Sequence, residues 1–194
     1  MDLKLFERVD SGKGLFAVET VSLIYNALTT ILILVLFPRM DHPGMMLLER
    51  LGIVALTFAL IFMYQAFPCR LTAFIRTAVQ MSLLAYWYPD TLEFNRLFPN
   101  LDHWFATAEQ WLFHSQPAVE FSKHCPSMWF SEPFNMGYFC YYPMILVVTV
   151  YYFLFRFEWF EKVSCVLVTS FFIYYFIYVF VPVAGPQFYF PAIG

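Results

Sequence analysis

Residues 15–37 read LFAVETVSLIYNALTTILILVLF, and the next residue is Pro38. The hydrocarbon core of a bilayer is crossed by roughly 20 mostly apolar residues in a helix. This stretch is long enough, its only charge is Glu19, and the proline that follows cannot continue a helix. The pattern returns at 45–67 before Pro68, at 71–88 before Pro89, at 134–155 and at 163–183. Tyr86, Trp87 and Tyr88 close the third run, where aromatic rings favour the headgroup zone. Five spans follow from this reading.

Composition agrees. The chain is 61% hydrophobic and 13% charged, against about 25% charged residues in soluble domains. A net charge of −3 speaks against nucleic acid as a partner and against a polybasic anchor. Cys69, Cys125, Cys140 and Cys165 have no C-x-x-C spacing, so they read as small buried hydrophobes rather than a disulfide framework or a zinc site. His42, His103, His114 and His124 lack H-x-x-x-H spacing, and neither a metal nor another cofactor is expected. The N-terminal MDLKLFERVDSGKG lacks a cleavage signature, so the first span is expected to stay.

Charge gives the orientation. With the N-terminus in the cytoplasm, Lys4, Arg8, Lys13, Arg70, Arg76, Arg156 and Lys162 lie towards the inner side, against Arg39, Arg50, Arg96 and Lys123 outside. Cytoplasmic loops are the richer in Lys and Arg. Residues 89–133 then lie outside. In NLDHWFATAEQWLF (100–113) the apolar residues Leu101, Trp104, Phe105, Ala108, Trp111 and Leu112 recur at three and four, with Asn100 as N-cap. That predicts an amphipathic helix on the outer interface. A second short helix starts at Pro117, and Ser131-Glu132-Pro133 resembles the start of the fourth span.

Few residues offer chemistry. Glu19 sits one turn into the first span and either reaches the headgroups or meets a cation. Arg76 and Gln80, four apart, must avoid lipid; Arg76 either neutralises a carboxylate such as Glu19 or snorkels to the surface. Ser170, Tyr174 and Tyr178 form a stripe leading to Pro182 and on to Gln187. It serves either as helix-to-helix hydrogen bonding or as the wall of a headgroup pocket. There is no phosphate-binding glycine loop and no G-x-S-x-G elbow.

Three phrases, DHWFATAEQWLFHSQPAVEF, SEPFNMGYFCYYP and YVFVPVAGPQFYF, stand in order between residues 101 and 190. Together they resemble the type 2 phosphatidic acid phosphatase superfamily, in particular its inositol phosphorylceramide synthase-like branch. LFHSQP is similar to an "LFG-x-x-P" phrase, and Tyr138 and Tyr141 to a "Y-x-x-Y" opening a span. Tyr178, Pro182, Gly185 and Pro186 are similar to "Y-x-x-x-P-x-x-G-P-R". The resemblance implies a six-helix membrane bundle acting on lipid phosphates through a phosphohistidine, with a second histidine as acid and an aspartate orienting the nucleophile. Cationic donors would hold the phosphoryl oxygens.

Two departures stand out. Gln187 replaces the arginine, so an uncharged amide is the one nominated phosphate contact, with Tyr174, Tyr178, Gly185 and Pro186 as pocket wall. The family's catalytic motifs would come after the Gly185-Pro186-Gln187 hook, and no catalytic residue is assigned here. Pro126-Ser127-Met128-Trp129 is no substitute. The expectation is therefore an all-α integral membrane protein, a single incomplete membrane domain over 1–194. It comprises three spans (15–88), an interfacial segment (89–133), and two spans with the hook (134–190), the front part of a six-helix bundle. Its partners would be membrane lipids and a lipid phosphate. A non-enzymatic scaffold or transporter subunit is the alternative.

Overall fold

The computed structural model describes residues 5–9, 14–124 and 127–193. Nine α-helices occur among them: α1 (Ala17–Leu36), α2 (Pro43–Ala66), α3 (Arg70–Ser82), α4 (Leu84–Asn95), α5 (Asp102–Phe113), α6 (Pro117–His124), α7 (Met128–Phe155), α8 (Phe157–Phe180) and α9 (Pro186–Ile193). No β-strand occurs among the described residues. A single antiparallel bridge, Arg8 to Cys69, ties the N-terminal segment to the α2–α3 turn.

Four helices, α1, α2, α7 and α8, are long and apolar enough to cross a membrane. Their side-chain distribution is that of an embedded chain. On α1 the buried face carries Glu19, Ser22, Asn26 and Thr29, while Ile24, Leu28, Ile31 and Leu34 are exposed. A helix in water turns its apolar stripe inward. Here the polar side chains are inside, where Glu19, Ser22, Asn26 and Thr29 each find a partner, and the hydrocarbon is outside, as a lipid surround requires.

The chain alternates in direction. The starts of α1 and α8 meet where the Ala17 N–H donates to Glu161 at 3.0 Å. The ends of α4 and α8 meet where Asn95 donates to the Tyr178 carbonyl at 2.7 Å. Hence α1, α3–α4 and α8 run one way, and α2 and α7 the other. Helix α8 packs against α1, α3, α4 and α7. The central core stacks Tyr25 on Phe172 at 4.3 Å and sets Trp87 edge-on to Tyr25 at 5.0 Å.

Two ion pairs are buried in this bundle. Arg76 on α3 donates through Nε to Glu19 Oε1 at 2.7 Å and through Nη2 to Glu19 Oε2 at 2.5 Å, with both side chains fully buried. Its guanidinium lies 3.8 Å from the Phe16 ring centre and 4.9 Å from that of Tyr64. Of the two sequence readings of Arg76, cross-bundle neutralisation is the one observed; neither side chain is exposed. The second pair escapes sequence reading. Arg50 of α2, counted above as an outer-side charge, is buried and donates to Asp90 of α4 at 2.6 Å and to the Tyr86 hydroxyl at 2.8 Å. Tyr86 in turn donates to Glu49 at 2.6 Å.

Some expected boundaries move. The third run does not end at Pro89. It divides at Leu83 into α3 and α4, and Pro89 lies inside α4. A proline in a helix leaves one carbonyl without its donor. That cost is tolerable here because α4 is packed on α8 and the preceding irregularity at Leu83 lets the axis adjust. Likewise α7 starts at Met128 with Ser127 as N-cap, and Pro133 and Pro143 are interior. Helix α5 starts at Asp102, with Leu101 in the cap position. Asn100 still works as a cap from one residue further out, accepting the Asp102 N–H at 2.8 Å.

Candidate functional site: a lateral groove and a clamped hook

Helix α7 meets the bundle mainly through its second half, where Phe153 lies 4.4 Å from Phe74 and 5.5 Å from Phe160. Its first half stands away, with Trp129, Phe134, Met136 and Phe139 exposed. The separation opens a groove of about 990 Å³ between α3–α4 and α7, floored by α8. That volume is at the upper end of the roughly 300–1,000 Å³ usual for ligand sites. Met81, Leu84, Ile145, Leu146, Val150 and Phe171 make its wall chiefly apolar. Tyr141, Tyr174 and Tyr178 bring hydroxyl-bearing rings from α7 and α8 into the end nearest the α8 C-terminus. Gly137 also lines it, and a Cβ at that position would meet no atom within 4 Å.

Two of the four predicted wall residues, Tyr174 and Tyr178, therefore line this groove. Ser170, on the same stripe, does not: its hydroxyl returns to the Val166 carbonyl at 2.8 Å and the side chain is exposed. The other two, Gly185 and Pro186, line a different and smaller cavity of about 220 Å³ between α5 and α9. The stripe and the hook thus belong to two cavities, not one. The side chain of Gln187 lies outside the described residues, as does that of Tyr138; Cys125 and Pro126 lie outside them altogether.

The hook itself is held from a distance. After α8 ends, Gly185 adopts φ +89°, a conformation open to glycine, and Pro186 begins α9 with φ already helical. Asp102, the first residue of α5, accepts the N–H groups of Ala184 at 2.8 Å and Gly185 at 3.0 Å. The Asn100 side chain donates to the same carboxylate at 2.7 Å, and the Leu101 N–H donates to the Pro182 carbonyl at 2.9 Å. Burial pushes the Asp102 carboxyl up, but the three donors outweigh it and hold it below the ordinary aspartate range. The period over 100–113 leaves Asp102 off the apolar stripe and gives it no further role. Its signal is local, an N-x-D pattern at the start of a helix, but its target 82 residues away carries none.

The apolar side of α5 is not covered by protein. Trp104, Phe105, Trp111 and Leu112 are all more than half exposed. This is the surface an interfacial helix presents to lipid. The histidines are likewise on the outside: all four are exposed, and His114 ends α5 at φ 55°. No described histidine lines either cavity.

Among the described residues no three His, Cys, Asp or Glu side chains gather as a metal site. No family model matches the chain, and neither a curated protein nor a solved structure shows significant similarity to it.

Proposed function

We propose that this protein is a lipid-handling membrane bundle, the lipid-holding part of a lipid phosphatase or phosphotransferase. The groove between α3–α4 and α7 takes an acyl chain of a membrane lipid from the side, and Tyr141, Tyr174 and Tyr178 meet its polar end. The observation that carries this is the groove: its wall is chiefly apolar, the Ser82 and Thr149 hydroxyls that line it are spent on the Ala78 and Ile145 carbonyls, and the tyrosines Tyr141, Tyr174 and Tyr178 gather towards one end. A lipid has that same polarity along its length.

Helices α3 and α4 act in this reading as one broken fifth crossing, and the hook lies on the outer face with the N-terminus inside. The reaction class rests on the resemblance over residues 101–190. The exposed histidines of this chain are not its nucleophile or acid, and those groups come from elsewhere. The second reading, a non-enzymatic scaffold or transporter subunit, draws on the exposed aromatic run that opens α7.

The test uses the purified chain in nanodiscs containing a phosphatidate with a photoreactive group on its acyl chain. Cross-links are expected at Ala78, Leu146 and Val150, and Ala78→Trp should remove most of them. Labelling spread evenly around the bundle, unchanged in Ala78→Trp, overturns the lipid groove. Phosphate release from phosphatidate by the same chain overturns the placement of the chemistry elsewhere.

A further inference from the structure

The hook cavity has a charge and a wall composition of its own. Asp102 and Glu109 of α5 contribute two carboxylates to it. Glu109 is half-buried and has neither a hydrogen-bond nor an ion-pair partner among the described residues. Asp102 is met only by neutral donors, and because they hold its carboxyl below the ordinary aspartate range it stays ionised. Neither α5 nor α9 contains a lysine or arginine. The cavity is therefore anionic, and a phosphate placed against Gly185 and Pro186 would face two negative charges without a cation to offset them.

Three aromatic rings stand among the remaining walls, beside Ala106, Val183, Gly185 and Pro186. Tyr189 and Phe190 of α9 stand with ring centres 5.4 Å apart and planes at 68°, so they form two sides of a corner. Phe105 lines the same cavity from α5. Aromatic faces attract cations through the ring quadrupole, and desolvated sites do so most. A carboxylate beside several aromatic faces is the combination that suits an ammonium carrying alkyl groups: its charge meets the acid and its methyl groups meet the rings.

We infer that the cavity between α5 and α9 binds a small alkylammonium group, such as the choline or ethanolamine end of a lipid or the free amine. The hook reads a positive amine, not a phosphate. The inference depends on the hook cavity alone and not on what fills the groove, so each can fail without the other.

The test measures choline binding to the purified chain in detergent by saturation-transfer NMR, with inorganic phosphate as the anionic probe. Choline should bind and phosphate should not. Glu109→Gln and Tyr189→Leu should each weaken choline by roughly three- to thirty-fold. Glu158→Gln, at the opposite end of the bundle, should leave it unchanged. Phe105→Leu supplies the same readout if either variant fails to fold. Nanodiscs of phosphatidylcholine should compete with free choline if the lipid headgroup is the source, and phosphatidylglycerol nanodiscs should not. Competition by neither assigns the site to the free amine. Phosphate binding more tightly than choline, or choline affinity unchanged in Glu109→Gln and Phe105→Leu, overturns the inference.

Discussion

Arg76 and Glu19, 57 residues apart, meet through two parallel hydrogen bonds with no exposure of either side chain. This fork pins α3 to α1 near one end of the bundle, as Arg50 and Asp90 pin α2 to α4 towards the other. A guanidinium in hydrocarbon needs its charge met; the Glu19 carboxylate does this for Arg76, and the aromatic faces of Phe16 and Tyr64 add to it, while Nη1 has no hydrogen-bond partner among the described residues.

Removing one partner strands the other. Glu19→Ala or Arg76→Ala should each destabilise the bundle by about 3–5 kcal/mol, while a Glu19→Met, Arg76→Met double substitution should cost far less than the two together. Thermal unfolding in detergent checks this. Additive losses would mean that the pair is not coupled.

Arg50 should not accept lysine. Its fork reaches Asp90 and Tyr86 at once, and its plane lies 4.5 Å from the Trp87 ring centre. An ammonium offers neither the fork nor the stacking face. Arg50→Lys is expected to lower the unfolding temperature nearly as much as Arg50→Met, read in the same assay.

The hook depends on Asp102. Asp102→Ala removes the acceptor for Ala184, Gly185 and Asn100, at a cost of roughly 1–3 kcal/mol to local order. Amide exchange over residues 183–190 should rise while exchange in α8 does not. Because the folded carboxyl titrates below its ordinary value, its contribution is complete above about pH 4 and fades as pH falls through that lower value. A fluorophore placed on α9 should report hook loosening only in strong acid, and Asp102→Asn should abolish that transition.

Gly185 tests the backbone separately. At φ +89°, an added Cβ meets no neighbour within 4 Å, so Gly185→Ala carries only conformational strain, about 1–2 kcal/mol. The same exchange measurement should show faster exchange at the hook with α5 unaffected.

The alternation of helix directions fixes which loops share a side. In a cysteine-free background, single cysteines at Asp41 and Ala184 should label from one face of a sealed vesicle, and one at Glu158 from the other. Labelling of Ala184 and Glu158 from the same face would contradict the bundle as described.

Hydrophobic runs, two of them closed by prolines, were enough to mark α1, α2, α7 and α8, because a span's length is set by the bilayer and written in consecutive residues. The 3.6-residue period likewise disclosed α5, and the spacing of Arg76 and Gln80 showed that α3 must face inward. Where a rule was purely local it misjudged: Pro89 read as a helix end and Pro133 as a helix start, yet both lie inside helices, the first of them in a segment packed on α8. The partners of Arg50 and Asp102 lie 40 and more than 80 residues away, and no pattern along the chain encodes such a distance. The sequence determined what must be buried from water or from lipid. Only the tertiary structure decided which buried charge meets which, and that Tyr178 and Gly185, seven residues apart, open into separate cavities. The physical reason is that burial is a property of composition and period, whereas pairing and cavity shape depend on how helices are displaced and rotated against one another.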